Sequence, residues 1–203
     1  MNVEGLAGGQ FRPLNEWEVK KIHQTSLKIL EEIGIKVELE EAVQILKKHG
    51  AKVDGGTVRI PASLVEEALK IIPHKFLMAG QDEKNDLILE DKRVYLGTGG
   101  AALAILDLDT GKTRPGTLRD IAQLAKLVDA LENVHFYLRP CIPQDIPAEA
   151  MDVNQFYASL SHTTKHIMGA ARAGPTARGG LEMAAMVAGG KDARVQRPII
   201  AFG

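Results

Sequence analysis

The 203-residue sequence predicts an α/β chain: a helical N-terminal region, a run of short antiparallel strands, then a series of βα units. Three observations carry that prediction. Apolar residues recur at helical spacing as far as Ile72, short β-rich runs separated by Asp, Asn and Gly clusters fill residues 76–106, and after Gly116 helical and strand patterns alternate.

In the first region Asn15 and Glu18 have capping-box spacing and open a helix whose Val19, Ile22, Ser26, Leu27, Leu30 and Ile33 share one face, with Gly34 ending it. A second helix, from about Glu40 to Lys48, turns Ala42, Val43 and Leu46 inward and stops at Gly50, a left-handed C′ position. Asp54-Gly55-Gly56 reads as a turn and Val58-Arg59-Ile60 as a short strand. Pro61 opens a third helix carrying Leu64, Val65, Ala68, Leu69 and Ile72, which Pro73 closes. The β runs follow at residues 76–78, 87–89, 94–96 and 103–106, with hairpins as the economical way to join them. Asp107-Leu108-Asp109-Thr110-Gly111 lacks the later bidentate glutamate of a calcium loop and reads as a hairpin turn.

Beyond Gly116, Thr117 caps a helix with Asp120 at the capping-box position and Leu118, Ile121, Leu124, Ala125, Val128 and Leu131 as its buried stripe. Strands are expected at 134–138, 166–170 and 197–202, and helices at 148–161 and 175–187. This alternation predicts parallel strands joined by right-handed crossovers. The domain reading is therefore 1–74 for the cap, and 75–203 for the hairpin segment and first βα units. A closed (β/α)8 barrel takes about 250 residues, so only about four of its strands fit; a doubly wound sheet accounts for the same alternation. The last element is a strand with no helix after it, which predicts the N-terminal part of a larger α/β domain.

Composition narrows the function. Twenty-five basic and 26 acidic residues leave a formal net charge of −1, so charge does not imply nucleic acid. The single cysteine, Cys141, excludes an intramolecular disulfide, a CxxC pair and a zinc ribbon, and points to a reducing compartment. The N-terminus lacks the basic and apolar regions of a secretory leader and no run of about 18 apolar residues occurs, so the expected location is the cytoplasm, without a membrane partner.

Several stretches carry chemistry. Gly97-Thr98-Gly99-Gly100-Ala101-Ala102 satisfies the G-x-G-x-x-[G/A] pattern of dinucleotide turns. Such a turn must lead into a helix, whereas residues 103–106 read as strand, so a nucleotide-binding oxidoreductase is a weak alternative. The glycines then mark a strand, bend and strand, serving either a pocket floor or tight packing. His162 and His166 stand four apart, but at a helix end and a strand start, so no shared metal face is expected. Cys141 reads as a small buried filler. Tyr95, Phe136 and Tyr137 offer faces for a quaternary ammonium, although core packing is the commoner use of such residues. Arg139, Asp145 and Lys165 lie beside predicted strand ends, where α/β folds bind ligands and where a surface ion pair is equally at home.

The ordered series "LNEWEVKKIHQTSLKILEEIGIKV", "ILKKHGAKVDGGTVRIPASLVEEALKIIPHKFLMAG", "VYLGTGGAALAILDLDTGKTRPGTLRDIAQLAKLVDALENV" and "RPIIAFG" resembles the N-terminal part of the trimethylamine methyltransferase family, from about Leu14 onward. The resemblance implies a (β/α)8 TIM barrel with a helical cap, here its first part. It also implies an enzyme that moves a methyl group from a methylated amine, trimethylamine or a quaternary amine such as glycine betaine, to the Co(I) of a separate corrinoid protein. The corrinoid then belongs to the partner, no cofactor or metal is expected on this chain, and the full-length protein is expected to be a homo-oligomer. In trimethylamine-specific members the reactive residue is a pyrrolysine later in the barrel, so the resemblance supplies no catalytic residue on this stretch. The substrate-binding candidates are Thr98, Gly99, Gly100, Arg139, Asp145 and Lys165. The alternative is a non-catalytic family member with a binding role only.

Overall fold

A computed structural model describes residues 4–172 and 174–202. The chain enters through β1 (Leu6–Ala7) and forms two units, one running from Gly9 to Pro73 and the other combining the N-terminal strand with everything from His74 onward.

In the Gly9–Pro73 unit the Asn15 capping box is present in full, and it starts α1 (Glu16–Lys28). The helix then widens into a single π-helical turn, Ile29–Ile33. The predicted stripe is not buried here: Val19, Ile22 and Ile33 are exposed, and α1 has no buried residue. Two further helices are α2 (Glu40–Lys48) and α3 (Ala62–Ile71), and between α1 and α3 run three strands, β2 (Ile35–Lys36), β3 (Lys52–Asp54) and β4 (Thr57–Arg59). They form an antiparallel sheet in the order β2-β4-β3, so the region read from sequence as a helical cap is itself mixed α and β. The β3–β4 turn places Gly55 and Gly56 at φ +53° and +85°, values two successive side-chain-bearing residues would adopt only under strain. Val43, Ala51 and Val58 form the core of this unit.

The second unit opens with a hairpin, β5 (Lys75–Met78) against β6 (Leu87–Glu90), followed by β7 (Arg93–Val94), which pairs with β1. A second hairpin, β8 (Ala104–Leu106) and β9 (Thr113–Pro115), closes through the Asp107 turn, where Asp107 accepts from the Thr110 amide at 3.0 Å and hydroxyl at 2.9 Å. The βα series follows: α4 (Leu118–Ala130), β10 (Phe136–Leu138), α5 (Ala148–Leu160), β11 (His166–Met168), α6 (Gly174–Ala188), α7 (Lys191–Gln196) and β12 (Ile200–Ala201). Within this series the sequence pattern missed only α7, six residues set off by the positive-φ pair Gly189 and Gly190.

Strands β10, β11 and β12 are parallel neighbours in that order. Residues 97–102 extend the array: Gly97 bridges Phe136 and Ala102 bridges Cys141, both in parallel and with one constant offset. One face of the array is covered by helices. Ala125 and Val128 of α4, Phe156 and Leu160 of α5 and Ala184 of α6 pack with Tyr137, Ile167 and Ile200 in one core. Side chains alternate along a strand, so Phe136, Leu138 and Met168 point to the opposite face, where they are only partly buried. All three helices thus lie on the same side of a sheet whose strands follow sequence order. A doubly wound sheet would instead distribute its helices over both faces and reverse its strand order.

Candidate functional site

The glycine-rich stretch is no phosphate cradle. No helix begins at Gly99, so no helix N-terminus faces an anion there. The stretch runs alongside β10 and bends near its end, at the left-handed Ala101 and at Leu103, and its backbone groups are satisfied by that neighbour. The His135 amide donates to the Leu96 carbonyl at 2.7 Å, the Ala102 amide to the Pro140 carbonyl at 3.0 Å, and the Ile142 amide to the Ala102 carbonyl at 2.9 Å. In the middle Thr98 takes the backbone's place, its hydroxyl donating to the Leu138 carbonyl at 2.6 Å and accepting from the Leu138 amide at 2.9 Å. A Cβ on Gly97 would collide with the Phe136 ring, so an aromatic neighbour covers that backbone. Nothing lies within 4 Å of a Cβ position on Gly99, whereas one on Gly100 would meet Leu138 at 3.3 Å.

At the carboxyl ends of β10 and β11 lies a cavity of about 290 Å³. Gly100 and Ala101 form one wall, Arg139 and Gly169 follow the two strands, and Asp152 and Gln155 enter from α5. Ala101 holds a left-handed φ of +64°, which costs a residue with a Cβ about 1 kcal/mol and places that strain at the cavity wall.

Arg139 dominates the chemistry. It is 7% exposed, its guanidinium lies 4.5 Å above the Phe156 ring, and its Nη2 donates to the Ala170 carbonyl. Nε and Nη1 have no partner among the described residues. Burial pulls its pKa down, opposed by the nearby Asp152 carboxylate. Asp152, also buried, accepts from the Arg172 amide at 2.8 Å through Oδ2. Burial pushes the Cys141 thiol up, so it remains protonated and is a poor nucleophile.

Of the six candidates, the structure brings Gly100 and Arg139 together at this cavity. Thr98 is engaged with β10, and Gly99 lies open beside it. Asp145 is exposed and accepts from the Leu118 amide at 2.9 Å, which caps the first turn of α4. Lys165 sits at the opposite end of the sheet, where Nζ donates to the carbonyls of Val128, Leu131 and Val134 at 2.7, 2.5 and 2.6 Å. The aromatic candidates are spent on packing: Tyr137 is fully buried and donates to the Ile121 carbonyl at 2.8 Å, and the Tyr95 hydroxyl donates to the Ile88 carbonyl at 3.1 Å. His162 and His166 face different carbonyls, Ala158 and Ala79, through Nδ1. Sequence reasoning missed Asp152 and Gln155. Their signal was present: Asp152, Gln155 and Ser159 recur at i, i+3 and i+7 on the face that also carries Phe156, so polar residues occupy the buried stripe of α5.

No helix among the described residues is long and apolar enough to cross a membrane. Residues 6–202 match the model of the trimethylamine methyltransferase (MTTB) family. A trimethylamine methyltransferase of Desulfitobacterium hafniense strain DSM 10664 / DCB-2 is 36% identical over 197 residues, covering 96% of this chain and 39% of the relative. A glycine betaine methyltransferase of strain Y51 of that species is 34% identical over 197 residues, covering 95% and 41%. A trimethylamine methyltransferase of Methanosarcina mazei is 34% identical over 167 residues, covering 79% and 34%. The chain thus spans about two fifths of the length of the first two relatives. On this match over nearly its whole length, the chain belongs to the trimethylamine methyltransferase family.

Proposed function

We propose that this chain forms the opening part of a (β/α)8 barrel methyltransferase that takes a methyl group from a methylated amine and delivers it to a separate corrinoid protein. The observation that carries the reading is the cavity at the carboxyl ends of parallel strands whose helices all lie on one face. Barrel enzymes place their sites at that end. Residues 97–102, β10, β11 and β12 then correspond to the first four barrel strands, and the antiparallel hairpins precede or interrupt them. The names of the relatives support a methylated amine as methyl donor, trimethylamine in one and glycine betaine in another.

In the proposed reaction the donor nitrogen is cationic, quaternary or, in trimethylamine, protonated; the N–CH₃ bond breaks with its electron pair left on the departing neutral amine, and the methyl group passes to the acceptor that the partner protein would supply, a reduced cobalt whose electron pair makes the new bond. The residues described here bind and orient the donor: Gly100 and Ala101 leave room beside the strand end, and Arg139, Asp152 and Gln155 supply polar contacts.

The test is a methyl-transfer assay with the complete gene product, a reduced corrinoid protein and a panel of methylated amines, read as methylated corrinoid formed. Demethylation of at least one amine is expected. Failure with every amine would overturn the reading in favour of a binding role without turnover.

A further inference from the structure

We propose that His166 is an acid-operated latch: the neutral ring fastens the β5–β6 hairpin to the amino end of the parallel sheet, and lets go when it takes up a second proton. The latch does not depend on the methyl-transfer reading. The ring is 1% exposed, and its Nδ1 lies 2.9 Å from the carbonyl of Ala79, the residue after β5. A carbonyl only accepts, so Nδ1 carries the proton of the neutral ring and Nε2 keeps its lone pair. Nε2 is buried and has no hydrogen-bond partner among the described residues, so a second proton would go there. Burial pulls the ring's pKa below the ordinary histidine value and outweighs the Ala79 and Pro198 carbonyls, which favour the charged form.

The charged groups around this corner are already engaged. From the hairpin, Asp86 accepts from both Nη atoms of Arg197 at 2.8 Å and from the Gly80 amide at 3.0 Å. Arg197, which stands before β12, also has Glu83 at 3.9 Å. Next along β11, Lys165 is spent on three carbonyls, and Asp129 of α4 accepts from Thr163 and Thr164. Across the sheet, the partner of His166 on β10 is the uncharged Phe136. A charged ring here would therefore be both desolvated and unpaired, and it gains water only if the hairpin moves away. The hairpin's other ties, the Gln81 amide to the Thr164 carbonyl at 2.7 Å and the Asn85 amide group to the Thr164 hydroxyl at 2.8 Å, do not titrate. His166 is thus the tie that answers to pH near neutrality. Because its folded pKa lies below the unfolded value of about 6.5, the latch is fully closed above that pH. It weakens as pH falls from there through the folded value.

The experiment is hydrogen exchange of the full chain from about pH 7.5 to about 5, read by mass spectrometry and corrected for the intrinsic rate at each pH. Protection of residues 79–86 is expected to fall about tenfold per unit below about pH 6.5, while that of residues 136–142 at the carboxyl end of β10 stays constant. His166→Asn keeps an N–H for the Ala79 carbonyl and cannot titrate, so its protection of 79–86 should not depend on pH. Exchange of the histidine C2 proton reads the ring in the unaltered protein, whatever the variant does to folding. His166 is expected to titrate at lower pH there than in an unfolded peptide of the same sequence. Protection of 79–86 that stays level in acid, or rises because the Pro198 carbonyl captures the second proton, would overturn the latch. So would a fall of the same size in His166→Asn, or a ring that titrates as it does in the peptide.

Discussion

The two ends of the parallel sheet each hold a buried cation, and the chain treats them in opposite ways. At the amino end of β11, Lys165 has its three ammonium hydrogens matched by three carbonyls, that of Val128 in the last turn of α4 and those of Leu131 and Val134 in the segment that follows it. Thr163 and Thr164 complete that end by donating to Asp129, at 3.1 Å from the Thr163 hydroxyl and 2.6 Å from the Thr164 amide. At the carboxyl end of β10, Arg139 keeps two nitrogens without acceptors beside a cavity and the strained Ala101. A cation whose bonds are complete holds the fold together. One whose bonds are incomplete is held ready for something else, and the fold bears its desolvation.

The largest way to break this comparison is Lys165→Met, which removes the ammonium that three carbonyls share, that of Val128 buried and those of Leu131 and Val134 partly so. It is expected to cost about 3 kcal/mol or more, measured as a fall in the urea unfolding free energy. Next is Gly97→Ala, whose methyl group would meet the Phe136 ring; about 2 kcal/mol of overpacking is expected, against less than about 0.5 kcal/mol for Gly99→Ala, where the space is open. Differential scanning calorimetry of the pair separates a packing role from a general intolerance of side chains in the glycine stretch. Thr98→Val keeps the shape and removes the hydroxyl that replaces backbone pairing with Leu138. About 1 kcal/mol should be lost, and Thr98→Ser should restore it.

A fourth prediction concerns a fully paired arginine near the carboxyl end. Arg114 holds the Asp107 carboxyl down at about 2 and drives that of Asp120 well below the usual carboxylate range. Folded-state pKa values below the unfolded ones mean that this stability is complete above about pH 4 and is lost as pH falls towards 2. Unfolding midpoints measured across that window should drop, and Arg114→Met should flatten the slope. The smallest effect is expected for Arg139→Met, where losing the Ala170 bond is offset by relief of a desolvated charge. Its unfolding free energy should stay within about 1 kcal/mol of wild type, and a loss as large as that of Lys165→Met would erase the distinction between the two ends.

Much of this was legible in the sequence, for identifiable reasons. The Asn15 and Thr117 capping boxes are local, four-residue devices, and both helices begin where they predict. The Asp107 turn and the alternation after Gly116 are also local patterns. Pairing is not local. The same β-rich runs led to hairpins for β5–β6 and β8–β9, but β7 pairs with β1, more than 80 residues earlier, and residues 97–102 pair in parallel with β10. Short β2 and β3 were missed because two or three residues are too few to show a period.

The sequence by itself determined which segments are helical, where their caps fall, that strands and helices alternate after Gly116, and that the ordered motifs are those of an amine methyltransferase family. It also put Gly100 and Arg139 among the candidates. Only the tertiary structure decided that Arg139 and Lys165, both placed at strand ends by the same rule, differ in kind. Whether a buried cation is saturated depends on which carbonyls and carboxylates distant segments bring to it, and no spacing within one strand records that.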